Sequence, residues 1–241
     1  MAHAEDDISA DEAGRYRELI ERRYLGEPMQ YILGEAEFYG LRFRVTPNVL
    51  IPRPETEHLV ERVLELAEQF QTPRIVDVGT GSGCIVVALA AHLKGADLTA
   101  IDISASALDL ARQNAELNGA LQRIRFLEDD LLAPVAGQRF EIVVSNPPYV
   151  SEVDRASLSV EVRDHEPALA LFAGNDGLDI YRRLIPAAFA ALAPGGFVAL
   201  EIGYGQMEGV SKLLSVTGFR EIEFIPDLQD IPRVAVARRP S

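Results

Sequence analysis

The sequence predicts an α/β protein whose seven-stranded, mostly parallel sheet has helices on both faces and an antiparallel edge strand at its C-terminal end. Two observations predict this fold. Between residues 74 and 202, strand-like apolar runs alternate with helix-like segments, as in successive β-α-β units. The last two strand-like runs are joined by a loop too short for a crossover helix, so we expect them to pair in antiparallel fashion.

Composition limits the size of the core and the kind of partner. A chain of 241 residues that is 48% hydrophobic can bury one large core, or one core and a small appendage. The net charge is −14, with 23 Lys and Arg residues against 37 acidic ones. Because nucleic-acid binders neutralise phosphates with basic side chains, this balance argues against direct nucleic-acid binding. It favours a protein or small-molecule substrate.

Other features concern location and metals. No stretch approaches the roughly 18 uninterrupted apolar residues of a membrane span. The acidic start MAHAEDDISADE also lacks the basic-then-apolar order of a secretory signal. The single cysteine, Cys84, excludes an intramolecular disulfide and is expected to pack as a small apolar residue. From these features we expect a cytoplasmic protein with no membrane segment. Since His58, His92 and His165 do not have a metal-ligand spacing, we also expect no metal site.

Two small units are predicted before the alternating region. Ser9 and Glu12 form a capping box, which predicts a helix of about four turns that ends near Gly26, so residues 1–26 make an N-terminal helical segment. Residues 27–54 mix short alternating runs with glycines and prolines. The stretch EFYGLRFRV within them predicts a β-hairpin, and the whole segment is interpreted as a linker.

The third unit, residues 55–241, contains the alternating elements. Ser104 is a predicted N-cap, and Asn118 followed by Gly119 ends the helix that it begins. One predicted helix begins near residue 55, and the others cover 84–93, 105–117, 177–193 and 206–217. The predicted strands cover 74–78, 97–101, 124–128, 141–144, 197–202, 219–225 and 233–237. This alternation is the basis of the fold prediction.

A glycine-rich turn, Gly79-Thr80-Gly81-Ser82-Gly83, follows the first strand of this unit and precedes a helix. Glycines let the backbone turn tightly and approach a ligand, and the N–H groups at a helix start favour anionic groups. The spacing is G-x-G-x-G, whereas dinucleotide sites have G-x-G-x-x-G. A nucleoside that carries a carboxylate is therefore at least as good a ligand, and a turn without any ligand remains the plain alternative.

Acidic residues follow the next two strands. Asp102 lies 23 residues after Gly79, close to the offset of roughly 20 residues expected of an acid that accepts both ribose hydroxyls. Asp130 lies on the same carboxyl edge and can accept from an adenine amine, with Leu131 packed on the base. Asp77 is interpreted as a residue that organises the glycine loop. Together these positions predict a nucleoside site.

The fourth strand, around residues 142–144, ends in Asn146-Pro147-Pro148-Tyr149. Two prolines cannot continue a sheet ladder, so they form a stiff stub beside the nucleoside site. A planar –NH₂ group is a poor nucleophile. The Asn146 side-chain oxygen and the Pro147 carbonyl can accept its two N–H bonds, point the nitrogen at an electrophilic carbon, and favour a tetrahedral nitrogen as charge develops. Tyr149 offers a flat face, and no general base is strictly required.

With these motifs the sequence resembles the Rossmann-like class I S-adenosylmethionine-dependent methyltransferases, and more closely the protein-(glutamine-N5) methyltransferases that modify peptide chain release factors. The resemblance covers about residues 27–239, through DVGTGSGCI, AIDISASALDLARQNAELNG, FEIVVSNPPYV and LEIGYGQ. NPPY is shared with nucleic-acid base methylases. IPRPETE together with EPALALFAGNDGLDIYR is far more specific.

The resemblance implies methylation of the glutamine in the Gly-Gly-Gln tip of a release factor by a monomeric enzyme. It implies that residues 79–83 and Asp102 hold S-adenosylmethionine, that Asp130 and Leu131 flank its adenine, and that residues 146–149 hold the glutamine amide, with Asn146 next to the cofactor as well. Two departures are visible. The sequence leaves room for about one helix before residue 27 where the family has several, and Leu131 stands where a tryptophan is common.

Alternative functions remain open from the sequence. The same chemistry can act on a ribosomal protein glutamine, or on the amine of a nucleic-acid base. A nicotinamide-dependent oxidoreductase shares the glycine turn and the ribose acid, but neither G-x-G-x-G nor NPPY helps hydride transfer. A cofactor-binding module without turnover would not need Asn146. Glu166, followed by Pro167, either shapes a loop over the amide or contacts the substrate, and Glu201 either supports the strand edge beside Asn146 or caps a turn.

Overall fold

The structure, a computed structural model, describes residues 8–241, so residues 1–7 of the predicted segment 1–26 lie outside the described residues. Helix α1 (Ala10–Tyr24) begins with the predicted capping box, in which the Ser9 side chain accepts from the backbone N–H of Glu12 and the Glu12 side chain accepts from that of Ser9. The predicted N-terminal helix is thereby confirmed.

The predicted hairpin is also present, preceded by a helix that was not predicted. Helix α2 (Met29–Leu33) has a single turn between Pro28 and Gly34, which is too short to give a helical period in the sequence. Strands β1 (Glu35–Phe38) and β2 (Leu41–Arg44) pair in antiparallel fashion, and Phe38 and Phe43 are buried. The hairpin therefore packs on the main core.

The large sheet has the predicted seven strands. They are β3 (Arg74–Val78), β4 (Asp97–Asp102), β5 (Ile124–Glu128), β6 (Phe140–Ser145), β7 (Leu192–Glu201), β8 (Arg220–Pro226) and β9 (Pro232–Arg238). Their order is β5-β4-β3-β6-β7-β9-β8, and β3 to β7 are mutually parallel. Strand β9 runs antiparallel to both β7 and β8, so the predicted antiparallel edge is present. The last strand, β9, lies between β7 and β8, and β8 is the edge strand.

One strand is longer than the sequence indicates. Strand β7 begins at Leu192 and not at residue 197, because Leu192 pairs with Phe140 before the register shifts. A Cβ at Gly196 would lie 2.8 Å from the Glu141 carbonyl oxygen, so the two backbones approach more closely than a side chain would permit. Pro194, Gly195 and Gly196 are typical of a turn when judged from the sequence. They form part of a strand because their backbone pairs closely with β6.

Six helices flank the sheet and its loops: α3 (Thr56–Ala67), α4 (Cys84–His92), α5 (Ala105–Leu117), α6 (Val160–His165), α7 (Asp179–Ala191) and α8 (Met207–Thr217). Only the short α6 was not predicted. Successive residues of β3 face opposite layers: Ile75 packs in the core with Leu59 of α3, whereas Val76 packs in the core with Leu184 of α7. The sheet is thus buried on both faces, as parallel sheets are.

This topology determines where the functional side chains lie. Because β3, β4, β5 and β6 are adjacent and parallel, their carboxyl ends meet at one edge of the sheet. The residues that follow those four strands are therefore brought together although they are distant in sequence. Within residues 8–241, no helix has both the length and the apolar character needed to cross a membrane.

Candidate active site

A cavity of about 370 Å³ opens at the carboxyl edge of the parallel strands. Nine of the predicted site residues line it: Gly79, Thr80, Gly81, Ser82, Asp102, Asp130, Leu131, Asn146 and Pro148. The predicted residues Gly83, Pro147 and Tyr149 are not among its lining residues. The cavity therefore joins the predicted nucleoside site to the predicted amide site in one space.

The glycine turn has the backbone conformation that requires glycine. Gly79, Gly81 and Gly83 have φ angles of +73°, +55° and +82°. A Cβ at Gly79 would meet no protein atom within 4 Å, so the backbone there borders open space. A Cβ at Gly83 would lie 3.1 Å from the Ala111 Cβ, so this glycine serves the packing of α4 on α5. The turn thus combines an open side with a closely packed side.

A buried carboxylate supports the turn from below. Asp77 accepts a hydrogen bond from the Thr80 hydroxyl at 2.6 Å, and its side chain is fully buried. Burial raises the pKa of Asp77 to about 7, although the Thr80 bond lowers it. This contact confirms the prediction that Asp77 organises the glycine loop.

Asp102 lies at the end of β4 with both carboxylate oxygens turned to backbone donors. One oxygen accepts from the N–H of Gly81 at 2.8 Å, and the other accepts from the N–H of Ser104 at 2.9 Å. Burial raises the pKa of Asp102, and these backbone bonds oppose that rise. Each oxygen has lone pairs left for a further donor, so the carboxylate can accept two hydroxyls in the cavity.

Asp130 and Leu131 lie on the same edge, after β5. Leu131 has a φ angle of +52°, an uncommon conformation for a non-glycine residue. The Asp130 carboxylate forms an ion pair with Arg183 of α7, which also lines the cavity. Arg183 was not among the predicted site residues, although it directly follows the motif EPALALFAGNDGLDIYR.

The stub after β6 is tied to buried groups on other elements. The Nδ2 group of Asn146 donates to the Thr56 hydroxyl oxygen at 3.1 Å. The Tyr149 hydroxyl donates to Glu201 at 3.2 Å, and burial raises the pKa of Tyr149 well above its usual value. A Cβ at Gly203 would lie 2.9 Å from the Tyr149 ring, so that ring packs against the chain after β7.

Glu201 ends β7 and is almost completely buried. Its Oε2 atom accepts from the Thr56 hydroxyl at 2.6 Å. Burial raises the pKa of Glu201 to about 7, while the bonds from Thr56 and Tyr149 lower it. The sequence left the role of Glu201 open between support of the strand edge and a turn cap. The structure places it behind Asn146, in contact with the stub.

One wall of the cavity comes from the predicted linker. Residues 47–53 line the cavity, a role that was not predicted for the linker. The Glu166 carboxylate pairs with Arg53 of this segment and accepts from the Ile51 N–H at 3.4 Å. With its side chain only 1% exposed, Glu166 holds this wall in place. The prolines and apolar residues of VLIPRP were the available signal, since solvent-exposed loops are usually more polar.

Two further predicted features can be located. Cys84 is buried at the start of α4, and burial raises the pKa of its thiol to about 12, which confirms its interpretation as a packing residue. Residues 8–241 contain no cluster of three or more His, Cys, Asp or Glu side chains suited to a metal ion.

Comparison with known proteins agrees with this geometry. Two family models match the chain: the methyltransferase small domain over residues 55–162, and the PrmC N-terminal domain over residues 1–34. A release factor glutamine methyltransferase of Koribacter versatilis is 45% identical over 100% of this chain and 85% of its own length. The protein of that name from Geobacter sulfurreducens is 45% identical over 96% of this chain and 80% of its own length.

Solved structures give the same fold. A ribosomal protein L11 methylase from Lactobacillus delbrueckii subsp. bulgaricus is 26% identical, with a TM-score of 0.56 over 78% of this chain and 80% of that chain. A methyltransferase from Pyrococcus furiosus is 16% identical, with a TM-score of 0.60 over 95% of this chain and 100% of that chain. The predicted fold class is confirmed, and the matches favour methyl transfer over the oxidoreductase alternative.

Proposed function

Because this chain belongs to the release factor glutamine methyltransferases, we propose that it methylates the side-chain amide nitrogen of the glutamine in the Gly-Gly-Gln motif of peptide chain release factors. The observation that carries the proposal is the single cavity shared by the glycine turn, Asp102 and Asn146. A methyl donor held by the first two groups would lie next to an amide held by the third.

The donor we propose is S-adenosylmethionine, and the residues fit it. The backbone at Gly79 borders open space, so a ligand can approach the turn closely. Both Asp102 oxygens can still accept ribose hydroxyls, and Asp130 and Leu131 border the same space where an adenine would lie. When bound, S-adenosylmethionine supplies a methyl carbon attached to a positively charged sulfur.

The stub after β6 orients the acceptor amide. We assign Asn146 Oδ1, which faces the cavity, as the acceptor for one N–H bond of the substrate glutamine, and we keep the Pro147 carbonyl oxygen, next to it on the stub, as the predicted acceptor for the other. These two bonds direct the amide nitrogen towards the donor and favour a tetrahedral nitrogen in the transition state. Pro148 stiffens the stub, and Tyr149 anchors it through Glu201. The proton on the nitrogen can leave to water after methyl transfer, so no general base is strictly required.

The protein partner follows from the charge and the family. We propose that the enzyme acts on the release factor as a monomer in the cytoplasm. We also propose that it makes no direct nucleic-acid contact, since its net charge is −14. We assign residues 55–241 to the catalytic domain, residues 27–54 to a linker that also supplies a cavity wall, and residues 1–26 to a small helical segment for partner binding.

The test is methylation of purified release factors by the full chain, with the added methyl located by mass spectrometry. We expect one methyl group on the tip glutamine, and a release factor with that glutamine replaced by alanine should gain none. Asn146→Ala should lose turnover but retain binding of S-adenosylhomocysteine. Asn175→Ala, which truncates an exposed amide outside the cavity, is the matched control. Equal labelling of the two release factors would show that the acceptor is wrong.

A further inference from the structure

Behind Asn146 lies a chain of hydrogen bonds that joins three elements of the fold. Asn146 of the stub contacts Thr56, the first residue of α3, and Thr56 contacts Glu201 at the end of β7. Thr56 is 1% exposed and Glu201 is 2% exposed, so water does not compete for these bonds. The amide of Asn146 therefore has a specific, almost completely buried partner at the wall of the cavity.

A carboxamide has two ends that differ only in hydrogen bonding. Rotation by 180° about its terminal bond exchanges the oxygen, which accepts, with the –NH₂ group, which donates. Only the oxygen can accept an N–H from a substrate amide. An Asn146 in the rotated state would present N–H groups to N–H groups and would repel the substrate. The proposed function therefore requires that one orientation be strongly preferred.

Thr56 supplies that preference because a hydroxyl has one hydrogen. Above about pH 7, where the buried Glu201 carboxyl is ionised, the 2.6 Å bond to Glu201 uses this hydrogen, since an ionised carboxylate can only accept. Thr56 can then only accept from Asn146, and the donor must be Nδ2, as observed at 3.1 Å. The rotated amide would place Oδ1 against an oxygen that has no hydrogen to give. The geometry excludes the wrong orientation by leaving two acceptors face to face.

Glu201 is itself held in place from two directions. Its second carboxylate oxygen accepts from the Tyr149 hydroxyl at 3.2 Å. Its backbone carbonyl accepts from the Tyr181 hydroxyl of α7 at 2.7 Å, and Tyr181 is fully buried. Both carboxylate oxygens thus accept from hydroxyl donors, so the Glu201 side chain cannot turn away from Thr56 without also losing the Tyr149 bond.

We propose that Thr56 and Glu201 are positioning residues that set the orientation of the Asn146 carboxamide, so that its oxygen faces the substrate amide. The inference rests on the proposed function, because it assigns how the amide acceptor is oriented. It extends the site by Thr56, which borders the cavity and acts through Asn146, and by Glu201, which lies behind Thr56 and does not line the cavity.

The test compares two replacements of Thr56 in the full chain. Thr56→Val keeps the shape but removes the hydroxyl, and Thr56→Ser keeps the hydroxyl. We expect Thr56→Val to lower kcat for release factor methylation by about tenfold or more, since misplaced catalytic groups cost up to roughly 10²-fold. Its KM for the release factor and its Kd for S-adenosylhomocysteine should stay within about twofold of wild type, and Thr56→Ser should restore most of kcat.

A second measurement is independent of activity. The side-chain amide signals of Asn146 in a ¹⁵N-labelled sample are identified by their loss in Asn146→Asp. In wild type, the hydrogen that Nδ2 shares with Thr56 should exchange slowly with water, and in Thr56→Val this protection should disappear. If the valine variant does not fold, Thr56→Ala is measured in its place.

The outcomes separate the two proposals. If wild type does not methylate the tip glutamine, the proposed function is wrong. If wild type methylates it and Thr56→Val has the same kcat and the same Asn146 exchange as Thr56→Ser, the positioning role is wrong while the function stands. A loss of kcat that serine does not restore would also overturn the positioning role, since it would point to a general packing defect.

Discussion

Replacement of Asp102 by alanine tests the assignment of the nucleoside site. In the folded chain, the Asp102 carboxylate accepts from the backbone N–H groups of Gly81 and Ser104 at 2.8 Å and 2.9 Å, which fixes its position before any ligand binds. A hydrogen bond to a charged group contributes about 1.5–3 kcal/mol. Loss of two ribose hydroxyl bonds at the lower figure costs about 3 kcal/mol, or roughly 150-fold in Kd.

The assay is calorimetric titration of the apoprotein with S-adenosylhomocysteine. Asp97→Ala is the matched control, because Asp97 is the first residue of the same strand and its replacement removes the same charge at the opposite edge of the sheet. We expect its Kd to stay within about threefold of wild type, as surface charges contribute little. If Asp102→Ala also binds within threefold of wild type while its unfolding midpoint is unchanged, Asp102 does not hold the ribose and the cofactor lies elsewhere.

Two stability predictions follow from the same region. Gly83→Ala should lower the free energy of unfolding in urea by about 1–3 kcal/mol, because a positive φ angle of +82° strains an alanine and its Cβ would crowd Ala111 at 3.1 Å. Glu201→Gln should alter the pH dependence of stability. Burial raises the pKa of Glu201 from 4.5 to about 7. The stability that the neutral Glu201 carboxyl contributes to the fold is therefore fully present below pH 4.5 and is lost as pH rises towards 7. Wild type should therefore lose up to about 3 kcal/mol relative to the glutamine variant between those pH values.

Each of these predictions has its own control. Gly119→Ala has a similar φ angle of +67° but no atom within 4 Å of the added Cβ, so it isolates the backbone strain from the crowding. Equal losses in the two glycine variants would mean that the contact of Gly83 with α5 is not tight. For Glu201, parallel stability curves of wild type and variant across pH 4.5 to 7 would contradict a raised pKa. The titration of Asp77 is common to both proteins and cancels in the comparison.

The strand edge explains why so much of the site follows from the sequence. Gly79, Asp102, Asp130 and Asn146 each lie at or just after the end of a recognisable strand, and strand and helix periods are local properties of the chain. In a parallel sheet, local order has a spatial consequence, because all carboxyl ends meet at one edge. A prediction of four strand ends is therefore also a prediction of one site.

The supporting contacts do not follow from local pattern. Thr56 is 90 residues from Asn146 in the chain and 145 residues from Glu201, and nothing in RPETE distinguishes a buried hydroxyl from an exposed one. The cavity wall at residues 47–53 and its Arg53–Glu166 ion pair, which joins residues 113 apart, belong to the same class. Such contacts depend on which surfaces of distant elements are pressed together.

The sequence by itself determined the order of the strands and of the longer helices, the α/β class, and the identity of the residues at the carboxyl edge, because each depends on periodicity and on the glycines and prolines that interrupt it. Only the tertiary structure decided that β9 lies between β7 and β8, that the linker closes the cavity, and that two buried residues orient Asn146. The physical reason is that a buried hydrogen bond is specified by both partners and by the exclusion of water around them, which packing of the whole chain provides.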